Sequence, residues 1–295
     1  MNLLLVAPLL LSVVGGLLSW WVPRVASPSW CVRSLTATMV VSAGSIVAAL
    51  VLVAAVAASQ LQVVSQLVHW CTGLEPGEHG VSVWAGSGAV AALGWGGARV
   101  ASHLRHVWTE RRQYGEVCGV EVVDVDGPVA FAVPGRPGGI VIGRQLLGEL
   151  RADERAAVLA HERAHLEHGH HRFVLVAETC ASAFPFLAPL ARQVRFNTER
   201  WADETAAVAV GSRDVVARAI VRSALIGTPL NTPSFGLAMA DLGAMARVEA
   251  LVRPSIRSSW QIPAAAIATA LLVAGAGASA QIYHLAVFVL HLCPS

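Results

Sequence analysis

Asp153-Glu154-Arg155-Ala156-Ala157-Val158-Leu159-Ala160-His161-Glu162-Arg163-Ala164-His165 is a helix-forming run that closes on an H-E-x-x-H pattern. Residues four apart on a helix stand one above the other, so His161 and His165 face the same point and can grip one metal ion, with Glu162 beside it. Imidazole nitrogens plus one carboxylate suit zinc and leave a fourth position for water, whose proton a neighbouring glutamate can take. The chemistry implied is metal-assisted hydrolysis, most often of a peptide bond.

That helix sits in an unusual chain. Of its 295 residues 55% are hydrophobic and only 14% charged, with a mean hydropathy of +0.59, values outside the range of soluble enzymes. The composition is that of a membrane protein. Every basic residue is Arg, and the arginines are scattered rather than gathered in a patch; with a net charge of +2 this gives no support for direct nucleic-acid binding.

Apolar stretches at residues 3–22, 37–59 and 81–100 precede the motif and a fourth follows at 262–292, each near or above the ~20 residues a bilayer-crossing helix needs. The first lacks a charged start and a small-residue cleavage site, so it reads as a retained anchor with Trp20 and Trp21 at the interface. Arg24 and Arg33 follow the first stretch, Glu75 and Glu78 follow the second, and Arg99, Arg105, Arg111 and Arg112 mark the end of the third. The positive-inside rule then puts both termini outside and the H-E-x-x-H helix in the cytoplasm. On this topology Cys71 and Cys293 share the outer face, where a disulfide between them or two free thiols are both open readings.

Between the third stretch and the motif the pattern changes to short β-type runs, 120–125, 129–133 and 140–142, separated by Gly- and Pro-rich turns. They predict a small antiparallel sheet with a hairpin, packed on the H-E-x-x-H helix. Val129, Ala130, Phe131, Ala132 and Val133 are the candidates for an edge strand that pairs with an extended substrate. A short helix is expected at 145–150 and the motif helix from about Ala152. Further helices are expected at 198–210 (closed by Gly211), 213–226 (started by Ser212) and 237–252.

Two residues compete as the third metal ligand. Glu199 is followed one helical turn later by Asp203, which would share its face and could accept the ring N–H of a metal-bound histidine. His171 stands where the extended form H-E-x-x-H-x-x-G-x-x-H has its third histidine, but position 168 is His rather than the required Gly. That favours Glu199. With Glu199 as ligand, the apolar stretch 173–190 must leave and return on one side, as a re-entrant hairpin bent at Pro185 and Pro189 or an interfacial helix pair, with a soluble core helix as the plainer alternative. His168, His170 and His171 read as a polar helix end suited to the helix dipole, Arg163 as solvent-facing, and Glu178 as a carboxylate near the membrane interface. Arg247 is a candidate oxyanion donor, with a structural pairing to Glu249 or Asp241 as its plainer role.

These segments resemble the BlaR/MecR-type membrane zinc metallopeptidases, gluzincins more distantly similar to HtpX-type membrane proteases. The resemblance rests on Ala130-Phe131-Ala132-Val133-Pro134-Gly135, on the motif with the Val158-Leu159-Ala160 before it, on Glu199-Arg200-Trp201-Ala202-Asp203, and on the pattern of spans. It implies one zinc ion per chain held by His161, His165 and Glu199, Glu162 as general base, and Asp203 as the partner of a metal histidine. The fold implied is an α-helical membrane protein with an α+β zinc-peptidase domain: three spans in 1–100, the cytoplasmic peptidase in 101–261 and a last span in 262–295. It also implies a protein substrate, a BlaI/MecI-type DNA-binding repressor, with membrane-protein quality control and non-catalytic zinc-dependent signalling as alternatives; homo-oligomers are compatible. Antibiotic-sensing members continue into an extracellular penicillin-binding domain, whereas this sequence stops at Ser295. The signal is therefore expected through the outer loop 60–80, a partner, or the lipid. The localisation implied is a bacterial cell membrane.

Overall fold

A computed structural model describes residues 26–58, 82–115, 117–124, 129–135, 138–226 and 243–253. Two long helices come first, α1 (Pro28–Ala58) and α2 (Val83–Gln113), each of 31 residues. No charged residue follows Arg33 in α1, and at 1.5 Å per residue it is about 46 Å long, so it is long and apolar enough to cross a bilayer. Among the described residues it is the one helix of which this is true. α2 begins at Ser82, whose hydroxyl accepts the Ala85 amide, and runs past its expected end at residue 100 into an arginine-bearing second half. α1 and α2 meet where Gly86 lies against Ala57; a Cβ on Gly86 would stand 2.0 Å from that of Ala57. The expected first and last spans, 3–22 and 262–292, and the pair Cys71 and Cys293 lie outside the described residues.

Strands β1 (Gly119–Val123), β2 (Ala130–Val133) and β3 (Gly139–Gly143) form a sheet in the order β1-β3-β2. β2 and β3 make the expected antiparallel hairpin, but β1 runs parallel to β3, with Gly119 opposite Gly139. The sheet is mixed, not antiparallel. Alternation of side chains identifies a strand without stating which neighbour it takes; here α2 delivers the chain to the far side of β3, and Arg111 near its end donates to the Pro134 carbonyl in the hairpin turn at 2.9 Å. β2 is left as an edge strand, buried along its whole length against the helices.

The close fit at β3 yields a first prediction. A Cβ on Gly139 would lie 2.8 Å from the Val117 carbonyl carbon and oxygen, backbone atoms that cannot swing away. Gly139→Ala is expected to destabilise the protein by about 1–3 kcal/mol through overpacking, read as a lowered melting temperature.

Beyond the sheet, α3 (Arg144–Glu149) leads to α4 (Ala152–Glu167), which carries the motif. Glu154 caps α4 by accepting the Arg151 amide at 2.9 Å and is itself buried against Arg222. Gly169, at φ 62°, then turns the chain as only glycine does freely, and α5 (His170–Ala183) starts at once. Phe184 and a short 3₁₀ turn (Pro185–Leu187) reverse direction into α6 (Ala188–Val210), so the stretch 173–190 is a helix pair that goes out and returns, and α6 begins well before the expected residue 198. Gly211 closes α6, Ser212 caps α7 (Arg213–Ile226), and α8 (Ala244–Val252) completes the described fold.

One apolar core joins Ile142, Leu146 and Val158 to Ala206, Ile220 and Leu251, binding the sheet to α3, α4, α6, α7 and α8. A second places Val32, Leu35 and Met39 of α1 against Ala177, Leu190 and Val194 of α5 and α6. α1 therefore packs directly on the helix pair that flanks α4.

Candidate active site

On α4, one turn separates His161 from His165, and their Nε2 atoms stand 3.0 Å apart. α6 brings Glu199 to the same point: Oε2 lies 3.4 Å from His161 Nε2 and Oε1 3.6 Å from His165 Nε2. All three residues are buried. Ligand atoms about 2.0–2.1 Å from a tetrahedral ion stand roughly 3.3–3.4 Å from one another, so the three observed spacings bracket what such an ion requires. Among the described residues this is the group of His, Cys, Asp and Glu side chains able to hold a metal ion. Residue 171, the rival third ligand, is carried away on α5 by the turn at Gly169 and does not join it.

Glu162 is fully buried beside them, and no side chain hydrogen-bonds to its carboxylate. Burial pushes its pKa up to about 7 against the pull of His161, helped by repulsion from Glu199. A carboxyl poised there can both take and release a proton near neutrality. The backbone amide of Ala132, on the edge strand β2 that packs against α4, favours its charged form. Val129 precedes that strand, and its carbonyl accepts the Gly143 amide at 2.6 Å.

Asp203, one turn after Glu199, places Oδ1 3.0 Å from His161 Nδ1. Burial acts to lower the pKa of His161, but Asp203 and Glu199 outweigh it and raise the value to about 9. His165, without a carboxylate on its outer nitrogen, is held well below the ordinary imidazole range by burial. Two rings of one helix, set edge to face, thus behave oppositely because α6 presents Asp203 to His161 alone.

Arg247 corrects its expected partners. It is fully buried on α8 and holds Asp203 with both arms of its fork, Nε to Oδ2 at 2.8 Å and Nη2 to Oδ1 at 2.6 Å, while Nη1 reaches Glu199 Oε2 at 3.1 Å. Glu249 pairs with Arg253 instead, and Asp241 lies outside the described residues. Positions two apart on a helix face different sides, so Glu249 cannot share the interior with Arg247. The guanidinium is committed to the two acids and is not an oxyanion donor. Burial of Asp203 alone would raise its pKa; Arg247 overrides this and holds it well below the usual carboxylate range.

The histidines after the motif also differ from the reading of a polar helix end. His168 caps α4 and stacks on Trp201, ring centroids 4.7 Å apart, and His170 is buried with Nδ1 3.0 Å from His165 Nδ1. The signal for this was Gly169, which ends α4 and turns residue 170 back toward the motif. Arg163 is exposed as expected, and Glu178 is a partly buried partner of Arg195 across α5 and α6.

Residues 98–222 match the family described as Peptidase family M48, a stretch that includes α4, the whole of α6, Glu199 and Asp203 but not Arg247. The match supports a metallopeptidase of membrane type, in a family whose members are typically metal-dependent. No curated protein and no solved structure matches the chain.

Proposed function

We propose that the protein is a membrane-embedded zinc metalloendopeptidase of the BlaR/MecR type, cutting a regulatory protein such as a BlaI/MecI-type repressor on the cytoplasmic side. The observation that carries the reading is the convergence of His161, His165 and Glu199 from two helices on one point, with the buried Glu162 beside it and an edge strand adjacent.

Zinc, when bound by those three residues, supplies Lewis-acid polarisation of the scissile carbonyl and of water. Glu162 takes the proton of the attacking water and later delivers it to the leaving amine. β2 aligns the substrate by pairing with its extended backbone, and Asp203 keeps His161 in the orientation that leaves Nε2 free for the ion. The exposed apolar side chains of α1 and α2, Val40, Val47, Val51, Trp84 and Val90 among them, suit a lipid-facing surface. The exposed Arg99, Arg105, Arg111 and Arg112 favour a cytoplasmic end for α2, and with it a cytoplasmic peptidase at 101–261 between spans in 1–100 and 262–295.

The test is a comparison of cellular proteomes between wild type and Glu162→Gln. A full-length repressor that accumulates only in the variant supports the proposal. Accumulation of many unrelated membrane proteins would assign the chain to quality control, and unchanged protein levels with unchanged signalling output would make it a zinc-dependent transducer without turnover.

A further inference from the structure

A histidine that binds a metal through one ring nitrogen must carry its proton on the other, and that N–H needs an acceptor in a dry interior. For His161 the group facing that nitrogen is the Asp203 carboxylate, with Oδ1 3.0 Å from Nδ1. His165 has no carboxylate at its Nδ1; it meets the Nδ1 of His170 at 3.0 Å, with both side chains buried. If Nε2 of His165 faces the metal position, its Nδ1 donates, and His170 Nδ1 must offer a lone pair. An imidazolium at 170 would bring two N–H groups head to head, so the contact requires a neutral ring with its proton on Nε2. That Nε2 is buried without a hydrogen-bond partner, which leaves packing to hold the ring in place. Trp201 of α6 provides it, with its ring centroid 4.7 Å from that of His170, and Trp201 is itself flanked by His168 and by the Arg33 guanidinium of α1 at 5.2 Å.

We propose that His170 is a positioning residue for His165, a neutral imidazole that fixes the ligand's tautomer and ring orientation where a carboxylate serves His161. The proposal rests on the metallopeptidase reading. Its chemical consequence is an asymmetric site: Asp203 lends negative charge to one ligand, and His170 lends none to the other. The second ligand is oriented without adding charge that would weaken the ion as an electrophile.

The experiment measures zinc affinity by competition with a chromophoric chelator, on the full-length protein in detergent, for wild type, His170→Phe and His170→Asn. Phe keeps a flat ring against Trp201 and removes the acceptor; Asn places an amide oxygen where Nδ1 now lies. Zinc affinity is expected to fall about 10–100-fold in the Phe variant and to recover largely in the Asn variant, while the metal-free melting temperature of the Phe variant stays close to wild type. Wild-type affinity in the Phe variant overturns the proposal, as does an Asn variant as weak as Phe or a loss of affinity that follows metal-free stability in both. A wild-type protein that binds no zinc overturns the metallopeptidase reading itself, and this proposal with it.

Discussion

Glu162→Gln is expected to lower peptide hydrolysis by about 10²–10⁴-fold while leaving metal content unchanged. Glutamine matches glutamate in shape, so nothing in the packing of α4 need move, but its amide cannot accept a proton from water. The side chain it replaces is fully buried, and no other side chain hydrogen-bonds to it. The metal-holding group, His161, His165 and Glu199, does not include it. Purified wild type and variant, assayed with a quenched peptide and for bound zinc, separate the two contributions. Full activity in the variant would remove Glu162 from the mechanism, and joint loss of zinc and activity would make it a ligand rather than a base.

The second large effect is one of stability. Arg247→Met leaves the Glu199 and Asp203 carboxylates in the interior without their cation, and removing one partner from a buried ionic cluster costs about 3–5 kcal/mol. Met fills much of the same volume, so the loss reports charge rather than a cavity. The metal-free protein should show the loss in full by denaturant or thermal melting, because a bound divalent cation supplies some of the missing positive charge. Arg247→Lys should fall between the two, since a single ammonium cannot reproduce the two-armed grip on Asp203 together with the contact to Glu199. A cost under about 1 kcal/mol for the Met variant would mean that the two acids are neutralised by protonation instead.

Both predictions concern residues whose legibility in the sequence was very different. His161, Glu162 and His165 are one turn of one helix, and helical spacing alone brings the two imidazoles together. Asp203 was legible by the same rule, relative to Glu199. The helix caps were also local: Gly211 and Ser212 mark the junction of α6 and α7 because their chemistry acts on neighbouring backbone groups. Arg247 was not legible, since its partner Asp203 lies 44 residues away on another helix and no local pattern states which buried acid a cation will find.

The same division runs through the fold. Short-range periodicity, turn residues and apolar length determined where helices and strands would form, and they determined that two imidazoles would share a helix face, because these depend on contacts within a few residues. Only the tertiary structure decided that β1 lies parallel beside β3, that His170 turns back onto His165, and that α8 drives a cation between two acids of α6. Those outcomes are set by which surfaces pack in three dimensions and by the cost of leaving a buried charge without a counter-charge.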